Sequence, residues 1–258
     1  MTTRSIRELL EARGAWLKGV GGNAVIADSR AALTRRLADN YGTFEALRDA
    51  VLRTTEELVH HNVETHQTIP DAARDLLEEL LHHGVVIREE HGHAICEVNG
   101  KRYLSGGWLE ELAYLAARES ADEAFYGQNI GWSVKGYKGE NEVDLIARRG
   151  DIMGFVSCKA LRSVLDINDR KQRNRLMDAV HEADNLADHF GKPGERVAVL
   201  VTTDLHDEMK GLPRYSALMG KAAVLDVRII PLEELGWDRL VNAVSELWQE
   251  RSDLGVVR

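Results

Sequence analysis

Three short stretches of this chain carry residues that could do chemistry together. They are Gly107-Trp108-Leu109-Glu110, Asn141-Glu142-Val143-Asp144 and Ser157-Cys158-Lys159. An acid on a helix, acids on a strand and a lysine on the next strand suit metal-assisted phosphodiester hydrolysis. Hard cations such as Mg²⁺ and Mn²⁺ take oxygen ligands, which Glu110, Asp144 and a backbone carbonyl near Cys158 would supply. Such a cation acidifies a bound water and offsets charge on a phosphate. Lys159 would orient that water or neutralise the transition state.

These residues need an α/β frame to meet. A helix is expected over 107–120, with Leu109, Leu112 and Leu115 inward. Strands are expected near 129–136, 141–149 and 152–160. Strand side chains alternate faces, so Glu142 and Asp144 share one face, and so do Ser157 and Lys159, with Cys158 turned into the core. A turn between Gly150 and Gly154 would pair the last two strands and bring Asp144 near Lys159. A long helix over 167–190 should stop at Gly191-Lys192-Pro193-Gly194. The apolar run Val197–Val201 reads as a strand buried on both faces. A short helix, a strand from Val224 to Ile230 and a helix over 232–248 follow. The result is a mixed sheet flanked by helices.

Together these motifs resemble the PD-(D/E)xK nuclease superfamily, whose restriction-endonuclease-like fold has this element order. The strings Gly-x-Trp-Leu-Glu, Asn-Glu-x-Asp and Cys-Lys further resemble the nuclease domain of CRISPR-associated CARF-fused nucleases, over residues 70–205. The resemblance implies that Glu110, Asp144 and Lys159 hold the catalytic and metal positions, with Mg²⁺ or Mn²⁺ as cofactor. It also implies a homodimer and a role in antiviral defence. Two departures stand out. The superfamily's second acid lies two residues before the lysine, where this chain has Ser157, and Glu142 is expected to take its place. The residues before 67 read as mostly helical and show no CARF sensor, so ring-oligonucleotide activation is not implied, and any small-molecule activator is left open.

Residues 1–66 form the helical N-terminal region. Ser29 is expected to cap one helix and Thr43 a longer one, while Gly14, Gly19, Gly21 and Gly22 interrupt the pattern. Residues 67–105 read as a winged-helix-like module: a helix after Pro70-Asp71 that Gly84 stops, then strand-like runs at 85–89, 94–98 and 101–104. Asn99-Gly100 between the last two is a hairpin signal. Residues 106–258 form the nuclease domain.

The 258 residues carry a formal charge of −9, which argues against a protein that coats nucleic acid but not against positive charge confined to one cleft. Lys135, Lys138, Arg170, Lys171 and Arg173 are the candidates for phosphate contact. Trp132 and Tyr137 could stack on a base but read more readily as packing residues. No apolar run is long enough to span a membrane. Two cysteines, Cys96 and Cys158, make no disulfide framework, and a cytoplasmic location is expected.

Other motifs carry less. His60, His61, His66, His82, His83, His91 and His93 lack partners at zinc spacing. Gly19-Val20-Gly21-Gly22 lacks the ending of a phosphate-binding loop. Ser157 has no nucleophile-elbow glycines. The sequence therefore points to a metal-dependent endonuclease acting on nucleic acid, DNA favoured over RNA. The alternative is a decayed relative that binds nucleic acid without cutting it.

Overall fold

The computed structural model describes residues 3–59, 67–192 and 195–248. His60, His61, His66, Pro193 and Gly194, named above, lie outside them. In chain order the elements are α1 (Ile6–Glu11), β1 (Ala15–Lys18), α2 (Ala24–Ser29), α3 (Ala31–Asp39) and α4 (Tyr41–Val59). Next come α5 (Arg74–His82), β2 (Ile87–Arg88), β3 (Ala94–Ile95), α6 (Val98–Arg102) and α7 (Trp108–Arg118). Then follow β4 (Glu123–Val134), β5 (Tyr137–Arg149), β6 (Ile152–Lys159), α8 (Arg170–Phe190) and β7 (Arg196–Val201). The last are β8 (His206–Asp207), β9 (Leu212–Pro213), α9 (Ser216–Val224), β10 (Val227–Ile230) and α10 (Trp237–Ser245). Contacts gather the chain into two compact units: residues 1–23 with 113–258, and residues 24–112.

The first unit is built on a six-stranded mixed sheet in the order β1-β4-β5-β6-β7-β10. β1, β4, β5 and β6 run antiparallel to their neighbours; β6, β7 and β10 are parallel. The mixed α/β sheet expected from the sequence is present. The parallel strand β7 is buried on both faces, Val197 through Val201 all lying inside, because helices and loops cover a parallel sheet from either side.

α8 shows how sequence sets the packing. Asp169 caps it, its carboxylate accepting from the Lys171 and Gln172 amides. Leu176, Ala179, Val180, Ala183, Leu186 and Phe190 recur at helical spacing and are all buried. They close a core with Phe155, Val197, Val199 and Ile146 of the sheet. Alanines at 179 and 183 leave little bulk between helix and strands, which lets the helix lie close.

Two readings of the N-terminal region change. Residues 15–18, expected within a helical stretch, form β1 on the edge of the sheet. The glycines that interrupt the helical pattern bracket this strand: Gly14 and Gly19 take φ of 76° and 71°, a conformation cheap for glycine alone. Ser29 and Thr43 are not caps. Ser29 ends α2, its hydroxyl donating to the Ile26 carbonyl, and Thr43 lies inside α4. The cap present is Ser5, which exchanges hydrogen bonds with Glu8 in a capping box.

The second unit is helical. Trp108 is fully buried, stacked on Tyr41 and edge-on to Phe44, with ring centroids 5.5 and 5.3 Å away. Here the winged-helix-like reading fails in part. α5 stops at Gly84 (φ 64°) as expected, and β2 pairs with β3. The third strand and the Asn99-Gly100 hairpin are absent, since residues 98–102 are helical. Gly100 serves close packing instead of a turn. A Cβ there would come within 2.0 Å of the Val85 carbonyl oxygen.

A buried ion pair ties the N-terminal segment to the first unit. Arg13 donates from Nη1 and Nη2 to the two oxygens of Glu195, each at 2.7 Å, and also to the Phe190 carbonyl. Both side chains are less than a tenth exposed. Glu195 also accepts from the Met153 and Lys192 amides. Removing one partner of such a pair strands a charge in the interior, so Arg13→Ala should cost roughly 3–5 kcal/mol. Lys18→Ala, which breaks an exposed pair with Glu140, should cost under about 1 kcal/mol. Urea unfolding of the two variants checks the contrast; equal losses would contradict it.

Candidate active site

The β5–β6 register pairs Leu145 with Val156 and Ile146 with Phe155. One further step sets Asp144 opposite Ser157. The tight turn is at Gly150, φ 60°, while Gly154 lies inside β6, facing Leu247. Asp144 Oδ2 accepts the Cys158 amide at 2.6 Å and the Ser157 hydroxyl at 3.4 Å. A cleft of about 200 Å³ opens here, lined by Asn141, Glu142, Asp144, Ser157 and Lys159 from the sheet and by Glu182, Asn185 and Leu186 from α8.

Lys159 Nζ lies 2.6 Å from Glu182 Oε2, with the lysine a third exposed and the glutamate more than half. Burial by itself lowers the lysine's pKa, but Glu182 and then Asp144 outweigh it, and Lys159 titrates above its ordinary value. It is therefore a fixed cation near neutral pH. Asp144 shifts the other way for a carboxylate: burial pushes it up, and the Cys158 amide and Lys159 offset this only in part. Glu142 raises it further.

Glu142, Asp144, Ser157 and Lys159 are thus brought together, as the spacing implies. Glu142 is exposed and Asp144 half-buried. Cys158 corrects an expectation: its side chain is half-buried and is not sealed in the core. Its amide already serves Asp144. Glu110 stands in the first turn of α7, in the helical unit. Its neighbour Glu111 is structural, buried and bound by Arg30 Nε at 2.7 Å.

Of the basic candidates, Lys135, Lys138, Arg170 and Lys171 are exposed and Arg173 is half-buried. Trp132 is a packing residue: its indole donates to Asn141 at 3.1 Å and its ring sits 5.6 Å from that of His189. Glu182 was not singled out by sequence. No motif marks it: Glu182 is one of many charged positions on α8 and borders the buried Ala183.

Among the described residues, no three histidine, cysteine or acidic side chains gather closely enough to hold a metal by themselves. The donor set still suits a magnesium-like ion, which needs one or two carboxylates and takes its other ligands from water and phosphate. Glu142, Asp144 and Glu182 against Lys159 give the cleft a formal charge of −2, the complement of a divalent cation.

A raised carboxylate pKa has a stability consequence. The folded state resists ionising Asp144, so its contribution to stability is full below the ordinary aspartate range and is lost as pH rises through the raised value. Asp144→Asn should therefore melt above the parent at pH 7, with the gap closing below about pH 4. Melting curves at the two pH values check this; a variant less stable than the parent at pH 7 would contradict it.

No family model and no curated protein matches the chain. Solved structures share its fold. One is protein VC1899 from Vibrio cholerae, with TM-score 0.69 and 16% identity, covering 95% of this chain and 62% of that one. Another is Can2 from Sulfobacillus thermosulfidooxidans in complex with cyclic tetra-adenylate, with TM-score 0.55 and 15% identity, covering 93% of this chain and 61% of that one. The chain thus spans about three fifths of the length of each. At such identities the likeness is one of fold, an α/β architecture extending over nearly the whole chain.

Proposed function

We propose that this protein is a divalent-metal-dependent nuclease with a PD-(D/E)xK core, hydrolysing phosphodiester bonds in DNA, with RNA as the second candidate. The observation that carries this reading is the cleft itself: a desolvated Asp144 and a cationic Lys159 meet at the end of an antiparallel strand pair. Asp144 holds the cation and Glu142 supports it. Glu110 and the carbonyl of Cys158 keep their ligand roles by resemblance. Bound Mg²⁺ or Mn²⁺ would supply an acidified water and an electrostatic sink for phosphate charge. Lys159, charged at neutral pH, stabilises the charge that builds on the phosphate in the transition state. It does not serve as the base, because a lysine titrating above its ordinary value holds its proton at neutral pH. The nucleophile is water; Ser157 is buried, and its hydroxyl points to Asp144.

The fold shared with Can2, which carries cyclic tetra-adenylate in its solved structure, supports a place in CRISPR-linked antiviral defence. A cytoplasmic homodimer fits that role. The second reading, a decayed module that binds without cutting, is favoured by one observation: Ser157 stands where the superfamily has its second acid.

Supercoiled plasmid, single-stranded DNA and single-stranded RNA, each incubated with Mg²⁺, Mn²⁺ or EDTA, separate the readings. Metal-dependent cutting is expected, reduced about 100-fold or more in Asp144→Ala and Lys159→Ala with nucleic-acid binding kept by Lys159→Ala. Binding by the parent protein without cutting of any substrate would select the decayed module.

A further inference from the structure

The far end of the β4–β5 pair differs in composition from the rest of the chain. Residues 124–139 contain no acid, in a chain with 42 of them, but do contain Lys135 and Lys138. The tip turns through Lys135 (φ 50°) and Gly136 (φ 86°), the two-residue hairpin geometry with both φ positive. Val134, Lys135, Tyr137 and Lys138 are all exposed, Tyr137 to 78%.

Beside this tip lies an aromatic floor. Trp16 of β1 pairs with Gly131 of β4. A Cβ on Gly131 would sit 2.6 Å from the indole, so the ring rests on bare backbone and remains 38% exposed. A cleft of about 310 Å³ opens there, bordered by Trp16, Lys18, Gly131, Lys138, Gly139 and Glu140. The space over its two glycines is taken by rings, the Trp16 indole over Gly131 and the Trp132 indole over Gly139. The acid at its edge, Glu140, is neutralised by its ion pair with Lys18, so Lys138 sets the sign of the charge.

We propose that Trp16 and the hairpin lysines form a subsite for an unpaired stretch of nucleic acid, with a base stacked on the indole and Lys135 and Lys138 holding the adjoining phosphates. The inference rests on the nuclease reading for its ligand class and adds the strand state and place of contact. Stacking on an exposed aromatic is open to every base, since each has a π-face. It is closed to bases inside a duplex, which are already stacked on one another. Lysine–phosphate contacts add affinity that salt screens. Overall charge would repel nucleic acid, so an acid-free, lysine-bearing tip is where a strand can approach.

The test is fluorescence anisotropy of a labelled single-stranded oligonucleotide and of the matching duplex, titrated with the full chain in EDTA, where metal-dependent cutting is off. Trp16→Ala should weaken single-strand binding roughly 5- to 150-fold, Trp16→Phe should retain most of it, and duplex binding should change little. The double variant Lys135→Ala/Lys138→Ala should reduce the slope of log affinity against log salt by about 1.4. These lysines are exposed on a turn, so this variant decides the matter even if Trp16→Ala fails to fold. Parent-like single-strand affinity and salt slope in the variants would overturn the subsite while leaving the nuclease reading standing. Losses confined to the duplex would overturn it in favour of groove binding. A parent that binds no nucleic acid would overturn both.

Discussion

The site depends on one carboxylate placed at the border of a core. On β5, Leu145, Ile146 and Ala147 are fully buried, while residues from Glu142 back to Tyr137 are largely exposed. Asp144 stands at the change. Its charge is costly there, and the Cys158 amide at 2.6 Å is its main compensation. That bond exists in one register of β5 on β6, because a one-residue slip would turn every side chain to the other face. The register follows from the glycine turn at 150 and from the apolar pairs Leu145–Val156 and Ile146–Phe155. The acid is thus held by the same contacts that build the sheet.

The lysine depends on a different layer. Lys159 ends β6, whose parallel partner β7 supplies the buried floor, and α8 supplies its counter-charge in Glu182. α8 approaches because small residues face the sheet, and its C-terminal end is fastened through the Phe190 carbonyl and Glu195 by Arg13. Between that end and the Asp169 cap at the other, the packed face of α8, from Leu176 to Phe190, lies in the core and sets Glu182 beside the sheet.

The sheet strands and α8 were legible because their signals are local. β7 is a continuous apolar run, α8 has helical spacing under a capping aspartate, and Asp144, Ser157 and Lys159 follow strand alternation. The failures came where tertiary packing overrode local chemistry. Asn99-Gly100 is a good turn dipeptide, yet Gly100 is needed where a helix touches the Val85 carbonyl. Ala15-Trp16-Leu17-Lys18 is too short to announce itself, and it becomes a strand because β4 offers an edge with Gly131 open to the indole. Glu182 lay 23 residues beyond Lys159 on a helix with many charged positions, and only the fold selects it.

Asp144 is also marked out from the neighbouring strand. The β4–β5 register is the same on both sides of it, Gln128 pairing with Val143 and Tyr126 with Leu145, so no residue is inserted and Glu142 and Asp144 keep one face of β5. Between those two partners on β4 lies Gly127, which takes φ of 54°, a conformation that a side chain would resist. The departure from strand geometry is thus on β4, outside every motif quoted for the chemistry, while the alternation of β5 sends Glu142 and Asp144 into the cleft beside Lys159.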